Sequence, residues 1–286
     1  MSLKTRTITG LAFGAVMIAG TLAHPFSCAG LYFLVGVLCL WEYSGLVLKQ
    51  DSTAVYNNIR RIFAVLLGVA PALLIVNTMS GTFPLLVDYV FWFFPLLFAS
   101  FLFELFAASS KPFENIAFSM LGIVYIGIPT ALLVSMPLTD ASGTKVILAI
   151  LLMVWASDVF AYLLGSKIGK HKMFPRISPK KTWEGTFSGV IGAILTGVLC
   201  FYVFPEVRFQ LWNWIVLGAV CTIFGILGDL VESMLKRSLG IKDSGTILPG
   251  HGGFLDRFDA FIFAVPFAVF TMKVVFDDYR FQQWLF

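Results

Sequence analysis

Between Ser233 and Asp259 the chain reads S-M-L-K-R-S-L-G-I-K-D-S-G-T-I-L-P-G-H-G-G-F-L-D-R-F-D. Lys236, Arg237, Lys242, Asp243, Asp256, Arg257 and Asp259 crowd this stretch, which joins two strongly apolar segments. Ionisable groups are costly beside hydrocarbon, and where they persist they usually mark a site. Just upstream, Asp229, Glu232, Ser233, Lys236 and Arg237 follow an i, i+3, i+4, i+7, i+8 spacing. On a helix that spacing puts two acids, a hydroxyl and two cations on one face. A divalent metal can sit on the acids while the cations hold phosphate oxygens. An internal salt-bridged stripe is the competing account. Pro249, Gly250, Gly252 and Gly253 around His251 allow a tight turn with exposed backbone N–H groups. Asp256 and Asp259 then stand at i and i+3. With Asp229 they offer the hard oxygen ligands that Mg²⁺ takes alongside substrate phosphates.

Two further segments carry polar chemistry. Asp158 lies nine residues before Lys167, about 13 Å along a helix at 1.5 Å per residue. It is expected inside the cytoplasmic half of a bilayer, as a ligand for a cation or polar substrate. The run I-S-P-K-K-T-W-E-G follows, from Ile177 to Gly185. Ser178-Pro179 breaks the chain, and Lys180, Lys181 and Thr182 are expected at the start of the next helix. Helix-start N–H groups, two ammonium groups and hydroxyls suit a polyphosphate. A plain basic flank of a membrane span is the alternative. Glu42 and Glu104 are also intramembrane acids, read as structural; a place near the site is the alternative, since both helices approach the cytoplasmic side at their C-terminal ends.

The elements that position these residues are membrane helices. Of 286 residues, 58% are hydrophobic and only 13% charged, and mean hydropathy is +0.88. Soluble domains carry about 25% charge, so the bilayer is the expected solvent. A spanning helix needs about 20 mostly apolar residues. Nine such spans are expected, at 8–23, 26–48, 62–79, 83–106, 116–138, 144–167, 185–204, 211–232 and 258–276. Pro71, Pro95, Pro129 and Pro266 fall inside them. The first span has a signal-peptide character with a weak cleavage site and is expected to be retained. No strand is expected. The fold class is an all-α polytopic bundle in one integral domain over 1–286. Residues 1–142 supply N-terminal helices and 143–286 the catalytic half.

Placing the N-terminus in the cytoplasm leaves only Lys145, Arg208, Lys273 and Arg280 of the 20 basic residues on the far side. Basic residues favour the cytoplasmic side, so that orientation is expected, with the C-terminus outside. Cys28, Cys39, Cys200 and Cys221 show no paired spacing and read as packing residues. His24, His171 and His251 show no ligand spacing. All the charged clusters fall on one membrane face, where lipid headgroups and nucleotides meet. Carboxylates for a metal, lysines for phosphates and an apolar wall make a phosphoryl- or nucleotidyl-transfer site, for which positioning and charge neutralisation suffice. A secondary transporter would instead show internal repeats and a midplane site, and neither is evident. No nucleic-acid partner is expected.

At these residues the chain resembles the phosphatidate cytidylyltransferase (CDP-diacylglycerol synthase) family. The long motif S-x-x-K-R-x4-K-D-x-G-x2-[LI]-P-G-H-G-G-x-x-D-R-x-D is matched from Ser233 to Asp259. W-x-x-D-x-x-A-Y is met by Trp155, Asp158, Ala161 and Tyr162, and S-P-K-K-T-W-E-G is whole from Ser178 to Gly185. The resemblance covers roughly the C-terminal half. It implies that CTP and phosphatidic acid give CDP-diacylglycerol and pyrophosphate, with Mg²⁺ required and K⁺ as a second cation. It implies a homodimer in a bacterial inner membrane. Metal ligands are then Asp229 and Asp256, with Asp158 and Asp259 beside them. Lys236 and Arg237 join Asp229 and Asp256 as catalytic candidates. Ser178, Lys180, Lys181, Thr182, Ser233, His251, Gly252, Gly253 and Arg257 are candidate substrate contacts. A CTP-dependent polyprenol or phytol kinase is the nearest alternative, and it would release CDP.

Overall fold

The computed structural model describes residues 3–48, 53–80, 86–245 and 252–276. The architecture is that of an all-α membrane protein. Helices α1 (Leu3–Ala23), α2 (Pro25–Val47), α3 (Ala54–Ser80) and α4 (Leu86–Ala107) are followed by α5 (Pro112–Gly122). One π-helical turn, Ile123–Gly127, leads into α6 (Ile128–Thr139). Then come α7 (Gly143–Ile168), a hairpin of β1 (Lys172–Phe174) and β2 (Ser178–Thr182), α8 (Trp183–Val203), α9 (Leu211–Ser238) and α10 (Leu255–Val274). Among the described residues, six helical stretches are long and apolar enough to cross a membrane. Thr9–Ala23 and Phe93–Ala107 are apolar but shorter.

Local chemistry sets the boundaries. His24 separates α1 from α2, and its Nδ1 accepts the Phe26 N–H at 3.3 Å, with Pro25 at the first helical position. Gln210 and Asn213 cap α9 reciprocally. Pro129 has no N–H to give, and the π turn lies just before it. A π turn is one way a helix absorbs an interrupted hydrogen-bond ladder. The expected span 116–138 is therefore α5, the π turn and α6 in continuous register.

Two expectations are corrected. The chain does contain strands: β1 and β2 pair antiparallel, with Lys172 opposite Thr182 and Phe174 opposite Ser178. Lys180 and Lys181 lie on β2 rather than on a helix. The reason is Pro179, which disfavours helix at the residue before it. The expected span 62–79 also starts too late: α3 begins at Ala54, so Arg60 and Arg61 lie within the helix. Arg60 is buried, and its Nε donates to Glu104 Oε1 at 2.5 Å while Nη2 donates to Oε2 at 3.2 Å.

The core gathers Tyr32, Trp214, Phe258 and Phe261, all fully enclosed. α7 packs along α8, α8 along α9, and α9 along α10. Small residues permit these approaches: a Cβ on Gly218 of α9 would stand 2.8 Å from the Ala193 carbonyl oxygen of α8. The outer surface exposes Phe26, Leu105, Phe106, Phe187 and Tyr202. For a bilayer-embedded surface such exposure carries no hydration cost.

Candidate active site

The hairpin is built onto the end of α7 and the start of α8. Glu184 closes it, accepting the Lys170 N–H at 3.1 Å, the His171 N–H at 3.2 Å and a contact with His171 Nδ1 at 2.6 Å. Thr182 is the N-cap of α8, and its buried hydroxyl oxygen accepts the Gly185 N–H at 3.2 Å. It thus serves the helix start rather than offering a free hydroxyl. This closure aims β2 across the helix ends. Lys181 reaches α9, where its Nζ lies 2.7 Å from Asp229 Oδ2 and donates to the Ile226 carbonyl at 3.2 Å. Ser233 Oγ donates to Asp229 Oδ1 at 3.2 Å.

A cavity of about 550 Å³ opens here, walled by Asp158, Tyr162, Lys172, Lys180, Lys181 and Asp229. Two carboxylates and three ammonium groups thus line one space, drawn from α7, the hairpin and α9. Lys180 is exposed and Ser178 half-buried. Ser178 is not among the residues that wall the cavity. Arg257 is exposed, in electrostatic range of Asp158.

The second group of acids lies where α9 meets α10. Lys236 Nζ is ion-paired to Glu232 and sits 2.5 Å from Asp256 Oδ1. Asp256 Oδ2 accepts the Ser244 N–H at 2.9 Å and the Gly253 N–H at 2.8 Å. Gly252 adopts φ 81 just before, the left-handed region glycine enters without strain. Asp259 is buried, and its Oδ1 accepts the Ala260 N–H at 2.7 Å. It is in electrostatic range of Asp229, Glu232 and Lys236, so the two groups share one field. Arg237 is exposed and donates to the Ile241 carbonyl at 3.2 Å, closing its own helix end. His251 lies outside the described residues.

The expected metal ligands are therefore brought together unevenly. Asp158 and Asp229 wall one cavity; Asp256 is held by Lys236 and two amides. Among the described residues no three His, Cys, Asp or Glu side chains form a closed metal cage. Mg²⁺ rarely uses such a cage, binding through one or two carboxylates plus substrate phosphates. A pair of carboxylates facing a cavity, each already with a cation against it or near it, fits that donor set.

Two residues matter more than the sequence reading allowed. Glu232 is completely buried, and its Oε1 has no hydrogen-bond partner among the described residues. Glu42, on α2, accepts the Ser244 hydroxyl at 3.1 Å and the Leu255 N–H at 2.8 Å. The signal for Glu42 was an acid amid apolar residues; its target could not be read. Glu104 takes the structural role expected of it, pairing with Arg60 and accepting Asn115 Nδ2 at 3.2 Å.

Comparison with known proteins identifies the family of the chain. A phosphatidate cytidylyltransferase of Staphylococcus epidermidis is 44% identical over 154 residues, covering 54% of this chain and 58% of that protein. Its namesake in Staphylococcus aureus is 44% identical over 156 residues with the same coverage, and that of Staphylococcus haemolyticus 42% over 154. The matched region thus spans a little over half the length of these curated relatives. The sequence model of the cytidylyltransferase family matches residues 4–275. With a match over nearly its whole length, the chain belongs to the cytidylyltransferase family.

Proposed function

We propose that this protein is a phosphatidate cytidylyltransferase, joining CTP and phosphatidic acid into CDP-diacylglycerol and releasing pyrophosphate. The observation that carries the reading is the cavity where Lys181 meets Asp229 opposite Asp158, at the edge of an apolar bundle. A phosphatidate oxygen attacks the α-phosphorus of CTP in line. The bond from that phosphorus to the β-phosphate bridging oxygen breaks, and pyrophosphate leaves. Lys172, Lys180 and Lys181 neutralise the triphosphate and orient it. Charge neutralisation and positioning are most of what phosphoryl chemistry asks of a protein.

Asp229 and Asp158 would hold Mg²⁺ beside the phosphates, with Asp256 and Asp259 completing the negative field and K⁺ as a second cation. Bound there, the ion would neutralise charge between two anionic substrates. In this reading Lys236 and Arg237, at the end of α9, meet the lipid phosphate or the leaving pyrophosphate. Ser178, Ser233, His251, Gly252, Gly253 and Arg257 are the remaining substrate contacts of this reading. No covalent enzyme intermediate is required. The bundle crosses the inner membrane nine times, with the N-terminus and the site in the cytoplasm and the C-terminus outside, and works as a homodimer. The distribution of basic residues supports the orientation.

The test is a detergent assay with labelled CTP and phosphatidic acid. CDP-diacylglycerol and pyrophosphate should appear, vanish on chelation and return with Mg²⁺. Release of CDP with a phosphorylated lipid alcohol as the preferred product would instead mark a lipid kinase.

A further inference from the structure

Glu42 belongs to the N-terminal half, yet both groups it binds flank the glycine-rich run of the C-terminal motif. It is 5% exposed. Leu255 opens α10, so its bond to Glu42 Oε2 satisfies one of the N–H groups that a helix start leaves open. A carboxylate there also meets the positive end of the helix dipole. Ser244 continues the chain of contacts. Its hydroxyl donates to Glu42 and its oxygen lies 3.3 Å from the Asp256 N–H, while its own N–H donates to Asp256 Oδ2.

The fit leaves no spare room. A Cβ on Gly253 would lie 1.9 Å from Ser244 Oγ and 2.6 Å from Glu42 Oε2. A Cβ on Gly245 would lie 2.6 Å from Glu42 Oε1. Glycine at both positions is what admits the carboxylate. That oxygen, Oε1, has no hydrogen-bond partner among the described residues.

We propose that Glu42 is a positioning residue for the reaction: from α2 it holds Ser244 to the first turn of α10 and so sets Asp256 against Lys236. It acts through Asp256. The kinetic part of this inference rests on the cytidylyltransferase reading; the structural part does not. Misplacing a reacting group by about 1 Å can cost roughly 100-fold in rate.

The experiment compares Glu42→Ala, Glu42→Gln and Glu104→Gln in the full chain in detergent. The last variant breaks a buried ion pair that shares no partner with the Glu42 carboxylate. Turnover, KM for CTP and hydrogen exchange at the Leu255 and Asp256 amides are measured at equal folded fraction. Glu42→Ala should lower kcat about 10- to 100-fold with KM for CTP unchanged, and should speed exchange at both amides. Glu42→Gln keeps an oxygen able to accept both bonds, so it should recover most of the rate and the protection. Glu104→Gln should lose stability without either change. Unchanged exchange at Leu255 and Asp256 in Glu42→Ala would overturn the proposal, as would a rate loss that Glu104→Gln reproduces. If the wild type makes no CDP-diacylglycerol, the functional reading falls, and the exchange measurements still decide whether Glu42 holds α10.

Discussion

At the scale of single residues, the ion pair between Lys181 and Asp229 sets the logic of the proposed site. A flexible ammonium from the hairpin meets a carboxylate on a rigid helix, both open to one cavity. Either group can exchange its protein partner for a ligand: lysine for a phosphate, aspartate for a cation. Hydrogen bonds to charged groups are worth about 1.5–3 kcal/mol. Lys181→Ala should therefore raise KM for CTP about 10- to 100-fold. A normal KM would place the nucleotide elsewhere. Asp229→Asn should lower kcat about 100- to 1,000-fold, the usual cost of losing one preorganised electrostatic group. The inserted protein should keep its thermal midpoint, because the amide oxygen of the new side chain would still accept from Ser233. Near-normal turnover in the purified variant would remove Asp229 from the chemistry.

At the scale of elements, the spacing between helices decides whether those residues meet. Lys181 lies two residues before α8 starts, and Asp229 rides on α9. Their meeting depends on how closely α8 and α9 approach, and Gly218 against Ala193 is a point of close backbone contact. Gly218→Val must push the helices apart. Overpacking of this kind costs typically about 1–3 kcal/mol. The variant should unfold at lower temperature and lose CTP affinity as well, read by thermal unfolding and by nucleotide titration. Lost stability with wild-type affinity would mean that the hairpin adjusts independently of α9. Thr182→Ala removes a helix cap, typically worth about 1 kcal/mol. It should loosen the same joint, visible as faster exchange at the Gly185 amide.

At the scale of the whole molecule, the proposed orientation rests on the distribution of charge. The hairpin and the end of α9 are rich in the basic residues that the positive-inside rule assigns to the cytoplasm. The four cysteines are all buried, so a single introduced thiol can be labelled against a quiet background. Arg176→Cys, in the exposed turn between β1 and β2, should react with an impermeant reagent only from the cytoplasmic side. Glu206→Cys, between α8 and α9, should react only from the other side. It loses only an exposed pairing with Lys145, which matters little to stability. Labelling of both from one side would contradict the span count.

Much of this was written plainly in the chain. Hydropathy alone determined a helical membrane protein, because apolar runs of span length have no other stable solvent. The motif from Ser233 to Asp259 marked the charged group that gathers where α9 meets α10, since charge survives near hydrocarbon only where it is used. The helix ends, the hairpin and the partners were another matter. Pro179 turned an expected helix start into a strand. Arg60, just before the expected span 62–79, lies within α3 in a buried pair with Glu104. Glu42 met Ser244 and Leu255 across more than 200 residues. Helical periodicity states which face a residue occupies, but not which other helix that face will meet. That choice is made by packing between backbones, where a few glycines set the distances, and it existed only once the chain had folded.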